Sequence, residues 1–279
     1  MQLAMIDDKV LPLKDLEPAY QDRGLWFGDG VYEVIRSYHG KLFAFEDHMS
    51  RFSYSLSQIG LTGVSIEEIR GRVQMAFEKS QLANVRVYFH VTRGSEPRNH
   101  LPGKGLRPNF LLTLNELIDH PEDKENGVAV STYPDWRWKR CDIKSLNLLP
   151  NIMARMDAEK KGCYEAIFVN DNQEITEGAG SAYFAIDGEK KELITRPLGN
   201  EILPSITRKH VLQIVEGSGL RMVEKALSPE QAKRCSEMFL AVTTKDILPV
   251  VKFDGTKVGT GRVGEWTKVL IERFKLLVK

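Results

Sequence analysis

Asp142-Ile143-Lys144-Ser145-Leu146-Asn147-Leu148-Leu149-Pro150-Asn151 sets a single ammonium where an amphipathic segment would bury only aliphatic carbon. A lysine held in partly apolar surroundings loses solvation of its charged form. The free amine then becomes available to condense with an aldehyde or carbonyl as a Schiff base. Taken alone, such a residue reads as a surface lysine whose head snorkels to water. What gives Lys144 a chemical reading is the set of groups distributed along the rest of the chain.

The 279 residues suit one large or two medium domains, and two is the expectation. Thirty-nine basic side chains against thirty-eight acidic ones leave a formal net charge of +1. No global field therefore favours nucleic acid or an anionic membrane, and any anion must be captured locally. The three cysteines, Cys141, Cys163 and Cys235, are odd in number and lack metal-type spacing. The chain opens Met1-Gln2-Leu3-Ala4-Met5-Ile6-Asp7-Asp8 without a basic and hydrophobic leader, which reads as a reducing cytoplasmic protein. There is no uninterrupted apolar run of about twenty residues, so no membrane partner is expected. The Trp136-Arg137-Trp138-Lys139-Arg140 stretch reads as packing near the active site rather than a nucleic-acid surface. The histidines lack zinc-type spacing, and no metal is expected.

Outward from the lysine, Leu149 to Lys161 has helical spacing that ends at Gly162, and Val128 to Thr132 reads as a short strand before it. Glu165 to Val169 and Ser181 to Ile186 are strand-like around the Asp171-Asn172 turn. Helices are expected at Ser205 to Gly217, Ser228 to Cys235 and Val263 to Val278, with Met238 to Val242 a buried strand. Towards the N-terminus, Val31 to Tyr38 and Lys41 to Phe45 suggest a hairpin. Helices follow from Glu46 to Gly60 and from Ile66 to Leu82, then strands at Val85 to Thr92 and Asn109 to Asn115. The expected organisation is an N-terminal α+β domain over residues 1–117, a polar, proline-interrupted linker over 118–126, and a C-terminal domain over 127–279. Neither a regular βαβ rhythm nor a Gly-x-Gly-x-x-Gly turn is present, which sets the chain apart from Rossmann nucleotide binders.

Gly28-Asp29-Gly30-Val31-Tyr32-Glu33, His48-Met49-Ser50-Arg51, Lys144-Ser145-Leu146-Asn147-Leu148-Leu149, Thr176-Glu177-Gly178, Ile202-Leu203-Pro204-Ser205-Ile206-Thr207-Arg208 and Thr243-Thr244 occur in an order and spacing that resembles the fold-type IV (class IV) pyridoxal-phosphate aminotransferases. The likeness covers nearly the whole chain. Within the family, Arg93-Gly94-Ser95-Glu96-Pro97-Arg98-Asn99-His100 and Arg140-Cys141-Asp142-Ile143-Lys144-Ser145-Leu146-Asn147 are most similar to the D-amino-acid aminotransferases. The resemblance implies an α+β, two-domain fold: a small N-terminal α/β domain and a larger C-terminal pseudo-barrel that holds the cofactor.

By the same resemblance the cofactor is pyridoxal 5'-phosphate, and Lys144 is both its Schiff-base partner and the catalytic acid/base. Glu177 pairs with the pyridine nitrogen, and the small residues Gly178 to Ser181 let the ring approach the backbone. Arg51, Ile206, Thr207 and Thr243 bind the phosphate; Pro204 and Ser205 independently mark the helix start whose free N–H groups suit an anion. Tyr32 acts with Arg98 and His100, which reach in from a neighbouring subunit, to bind the substrate carboxylate, so a homodimer is implied. Val242, where D-amino-acid aminotransferases often carry serine, and Pro204-Ser205, in place of lysine-glycine, depart from that pattern. The implied reaction moves an amino group from a D-amino acid such as D-alanine to a 2-oxo acid such as 2-oxoglutarate, giving pyruvate and D-glutamate. A branched-chain L-amino-acid aminotransferase, an aminodeoxychorismate lyase and a non-catalytic pyridoxal-phosphate-binding protein are the alternatives.

Overall fold

The computed structural model describes residues 2–279. Near the N-terminus β1 (Leu3–Ile6) and β2 (Lys9–Pro12) form a hairpin, and α1 (Arg23–Phe27) starts where the Asp22 side chain accepts a hydrogen bond from Gly24 N. There follow β3 (Gly30–Tyr38), β4 (Lys41–Leu42), α2 (Phe45–Gln58), α3 (Ile66–Ser80), β5 (Val85–Thr92) and β6 (Asn109–Glu116). These strands make an antiparallel sheet in the order β4-β3-β5-β6. The period of two along a strand sorts the residues of β3. Val31, Glu33 and Ile35 face α2, where Ile35, Phe52 and Phe89 belong to one buried cluster, and Tyr32, Val34 and Arg36 face the other way. The strand expected over Lys41 to Phe45 stops at Leu42, because Ala44 turns into a left-handed conformation (φ 50°) and Phe45 opens α2.

The expected connection at 118–126 contains a short helix, α4 (Pro121–Asn126), begun by a proline that wastes no donor there. It leads to β7 (Val128–Pro134), α5 (Leu149–Lys160), β8 (Glu165–Val169), β9 (Ile175–Gly178), β10 (Ala182–Asp187), β11 (Glu192–Thr195), α6 (Ile206–Ile214), β12 (Arg221–Glu224), α7 (Pro229–Ala232), β13 (Glu237–Val242), β14 (Asp246–Phe253), β15 (Thr256–Lys257) and α8 (Glu265–Leu277). Nine strands join in the order β12-β11-β10-β13-β14-β7-β8-β9, with β15 on β14. The sheet curls until β9 lies beside β10. Its inner face holds Val130, Leu240, Leu248 and Phe253, and its outer face packs Phe184 and Phe239 against Val211 of α6 and Phe274 of α8. The result is the expected α+β architecture with a half-barrel in the C-terminal part.

One further local expectation differs. The Asp171-Asn172 turn joins β8 to β9 rather than to the strand at Ser181 to Ile186, which pairs with β11 and β13. Two βαβ units are present without a regular rhythm: β7 and β8 are parallel with α5 as the crossover, in which Lys144 lies ahead of the helix, and β11 and β12 are parallel with α6 between them. Among the described residues no helix is long and apolar enough to cross a membrane.

Candidate active site

The backbone around Lys144 is clamped from two sides. Tyr32 N donates to Lys144 O (3.0 Å), Leu146 N donates to Gly30 O (3.1 Å), and Lys144 N donates to the Ser55 hydroxyl on α2 (3.1 Å). This close approach requires glycine at position 30, where a Cβ would stand 2.6 Å from Val91 O and 2.8 Å from a Leu146 methyl. The Lys144 ammonium lies 4.2 Å from the centre of the Tyr32 ring and makes no hydrogen bond or ion pair among the described residues. It opens into a cavity of about 310 Å³ between the small sheet and the half-barrel.

Glu177, at the end of β9, is buried on the same cavity wall and touches the Arg137 guanidinium at 2.5 Å. Leu203 N donates to both of its carboxylate oxygens, at 3.1 and 3.2 Å. Arg137 is fixed in turn by Asp135 (2.7 Å) and by stacking 4.3 Å from the Phe168 ring centre. Burial pushes the Glu177 carboxyl above its usual range, and Arg137 pulls only part of the way back. A further cation on its open side would complete that compensation. Gly178, Ala179 and Gly180 follow it along the cavity wall, leaving space beside the carboxylate that larger side chains would fill.

Arg51 reaches the cavity from α2. Its Nε and Nη2 bind the two oxygens of Glu33 at 2.7 and 2.8 Å, and Nη1 donates to Pro204 O at 3.1 Å. A guanidinium has five N–H donors, so two remain for an anion. Glu33 is fully buried and also meets His48 Nδ1 at 2.8 Å. Burial alone would raise this carboxyl, but the Arg51 charge and the hydrogen bonds from Arg51 and His48 outweigh it and hold the group well below the ordinary range.

Beside Arg51, Ser205 caps α6 by accepting from Arg208 N (3.2 Å) and borders the cavity. Ile206 and Thr207 are buried just behind it in the first turn, where their N–H groups have no acceptor within the helix. Thr243 and Thr244 line the cavity from the β13–β14 turn, which Arg36 ties down by donating to Thr244 O at 3.1 Å.

The structure thus brings Lys144, Tyr32, Arg51, Glu177 and Thr243 to one cavity, with Ile206 and Thr207 directly behind its wall. It does not bring Arg98 and His100 there. Both are exposed on the β5–β6 loop, against Phe27, with the Arg98 guanidinium 4.9 Å and the His100 ring 5.4 Å from its ring centre. That loop is held by Arg23, which donates to Asn99 O (2.6 Å) and His100 O (2.9 Å) and pairs with Glu96. Glu33 and Arg137 carry much of the cavity's electrostatics without having been assigned roles from the sequence, and Arg23 supports the loop outside it. For Glu33 the alternation of β3 was a usable signal, since it puts an acid on the face that α2 covers.

Cys141 also lines the cavity, and burial pushes its thiol up to about 12. Thiolate is the reactive form. Iodoacetamide at pH 8 is therefore expected to leave Cys141 of the folded protein unmodified; peptide mass mapping that found it carbamidomethylated would contradict this.

Residues 30–253 match the family model described as amino-transferase class IV. A D-alanine aminotransferase from Staphylococcus haemolyticus is 38% identical over 283 residues, an alignment covering 100% of this chain and 99% of that protein. A D-alanine aminotransferase from Bacillus licheniformis is 38% identical over 249 residues, covering 89% and 87%. The crystal structure of the Escherichia coli branched-chain amino acid aminotransferase superposes with a TM-score of 0.87 at 24% identity, over 98% of this chain and 93% of its own.

Proposed function

Since the chain belongs to the class IV aminotransferase family, we propose that it transfers the amino group of a D-amino acid such as D-alanine to a 2-oxo acid such as 2-oxoglutarate, giving pyruvate and D-glutamate. The observation that carries this reading is the unpaired Lys144 amine facing a cavity that also presents a buried carboxylate and an anion-binding corner. Full-length likeness to D-alanine aminotransferases supports the D-specific form.

The donor set fits pyridoxal 5'-phosphate. Lys144 would hold its aldehyde carbon, and Glu177 its ring nitrogen. The free donors of Arg51, the first-turn N–H groups of Ile206 and Thr207, and the hydroxyls of Thr207 and Thr243 would hold its phosphate. When bound, this group supplies an aldehyde that takes up the amino group and a protonated ring that draws electrons from the substrate Cα. Lys144 carries the proton at Cα: its amine has no competing partner and its backbone is fixed from both sides, so the nitrogen is held ready to accept and return it. Glu177, kept in place by Arg137 and Leu203 N, holds a proton on the ring nitrogen.

Tyr32 supplies one contact for the substrate α-carboxylate. Arg98 and His100 lie outside their own cavity, and a second copy of the chain supplies them in the proposed homodimer. The exposed Leu149, Ile152 and Met156 on α5, at the mouth of the site, give such a dimer apolar surface to bury. We place the enzyme in the cytoplasm, consistent with three free cysteines, and take residues 1–117 and 127–279 as its two domains joined by 118–126.

Supplied with each enantiomer of alanine and with L-leucine, using 2-oxoglutarate as acceptor, the enzyme is expected to favour D-alanine by about 100-fold or more, because the wrong enantiomer turns its Cα–H away from Lys144. A preference for L-leucine would overturn the D-specific reading and leave the family standing.

A further inference from the structure

β13 and β14 pair as far as Val242 opposite Asp246, which leaves Thr243, Thr244 and Lys245 as a loop closed by a hydrogen bond from Lys245 N to Val242 O (3.1 Å). The two strands belong to the half-barrel, yet their loop is held from outside it. Among the described residues, every side-chain hydrogen bond or ion pair at positions 243–246 runs to β3 or to the connection at 118–126. From β3, Arg36 donates to Thr244 O (3.1 Å) and to the Asp246 carboxylate (3.4 Å), and the Tyr38 hydroxyl donates to the same carboxylate. From the connection, Lys124 pairs with Asp246 and Asp123 pairs with Lys245, both at 2.8 Å.

The order of the charges makes this contact specific. Asp123-Lys124 lies against Lys245-Asp246, so each residue meets its opposite. Sliding α4 by one residue in either direction would set Asp123 against Asp246 or Lys124 against Lys245, and like charges in contact repel. Exposed ion pairs contribute little. Here the side chains of Asp246, Lys245 and Lys124 are 9%, 17% and 21% exposed, and charges withdrawn from solvent are screened less. Asp246 is itself held in the left-handed region, at φ 59°, a conformation that persists where neighbours fix the residue.

The corner that would take the cofactor phosphate draws on three separate segments. Arg51 is fixed by Glu33, and the start of α6 by its Ser205 cap. The loop carrying Thr243 is the third, and its support comes from the other half of the molecule. We propose that the connection at 118–126 is a brace for this corner. Asp123 and Lys124, acting through Lys245 and Asp246, are positioning residues that set how closely the Thr243 hydroxyl approaches the phosphate, without touching it. The proposal rests on the cofactor reading of the cavity. A loosened loop leaves the Lys144 and Glu177 contacts in place, so the loss is confined to ligands that carry a phosphate.

The test titrates the full-length, cofactor-free chain with pyridoxal 5'-phosphate and with phosphate-free pyridoxal, read by visible absorbance, in wild type, Lys124→Met, Lys124→Arg and Asp246→Asn. Asparagine tolerates the left-handed conformation, so D246N removes the charge and keeps the turn. In K124M and D246N the Kd for pyridoxal 5'-phosphate is expected to rise about 10-fold, the scale of weakening one hydrogen bond to a charged group, while that for pyridoxal stays within about twofold. K124R is expected to restore most of the affinity. Unchanged affinity for the phosphorylated ligand in K124M, or equal weakening of both ligands, overturns the brace. K124M alters a partly exposed end of the network, so it decides the matter even where D246N fails to fold. A wild type that takes up no pyridoxal 5'-phosphate removes the cofactor reading and the brace together, whereas one that binds it as tightly as K124M does removes the brace alone.

Discussion

Replacing Lys144 with alanine is expected to lower turnover by about 10⁴-fold, the scale of losing a positioned acid/base that is also the covalent partner of the reaction. Stability should barely move. Among the described residues the Lys144 ammonium forms no ion pair, and the bonds that fix this segment run through its backbone N–H and C=O, which alanine retains. The decisive combination is lost turnover with a thermal midpoint close to that of the wild type, and partial recovery when a small primary amine is added to stand in for the missing side chain. Turnover within tenfold of wild type would remove Lys144 from the mechanism; a collapsed midpoint would make its role structural.

The second large effect concerns stability. In Glu33→Leu, Arg51 and His48 lose a fully buried partner that each approaches within 2.8 Å. Removing one side of a buried charge cluster costs about 3–5 kcal/mol, because the other side is left without solvent or counter-charge. In a chain of this size that corresponds to a drop of roughly 10 °C in the thermal midpoint.

The acid limb of stability should change as well. Since the folded Glu33 carboxyl is held below its unfolded value, the unfolded chain binds more protons as the pH drops through the ordinary carboxylate range. This contribution is complete above about pH 4.5, is lost as pH falls towards the folded value, and is absent from the variant. Urea denaturation between pH 3 and pH 7 checks this, and superimposable acid limbs for the two proteins would contradict the pairing.

Much of the fold was legible because the elements nearest the site carry strong local signals. The helical spacing after Leu149, the Ser205 cap and the strands over 85–92 and 165–169 each follow from a pattern of apolar residues and a terminating glycine or cap. Other strands were hidden by their composition. Asp246-Ile247-Leu248-Pro249-Val250-Val251 contains a proline, which argues against a central strand, yet β14 is central. Its ladder with β7 begins only at Val250, so the missing Pro249 N–H forfeits no bond on that side. β9 and β11 have only four residues each, too few for a period to declare itself.

In the cavity, residues that present their own functional group to it were the legible ones: the amine of Lys144, the carboxylate of Glu177 and the hydroxyl of Thr243. Residues that hold a neighbour in place were not. Arg137 sits between two tryptophans in the sequence, and only the β7–β8–β9 pairing carries it to Glu177. Arg23 precedes the loop it supports by some seventy residues, and nothing local announces the contact.

The parallel pairing of Val128 with Val250 has a consequence for biogenesis. A polypeptide emerging from the ribosome completes the β3–β6 sheet early, from neighbours that pair as soon as they appear, whereas β7 waits for a strand made about 120 residues after it. Until β14 arrives, the turn carrying Thr243 has no anchor and the crossover with Lys144 faces an unfinished wall. The cavity therefore closes only once β14 is in place, and whatever small molecule it retains must be acquired after that strand has paired.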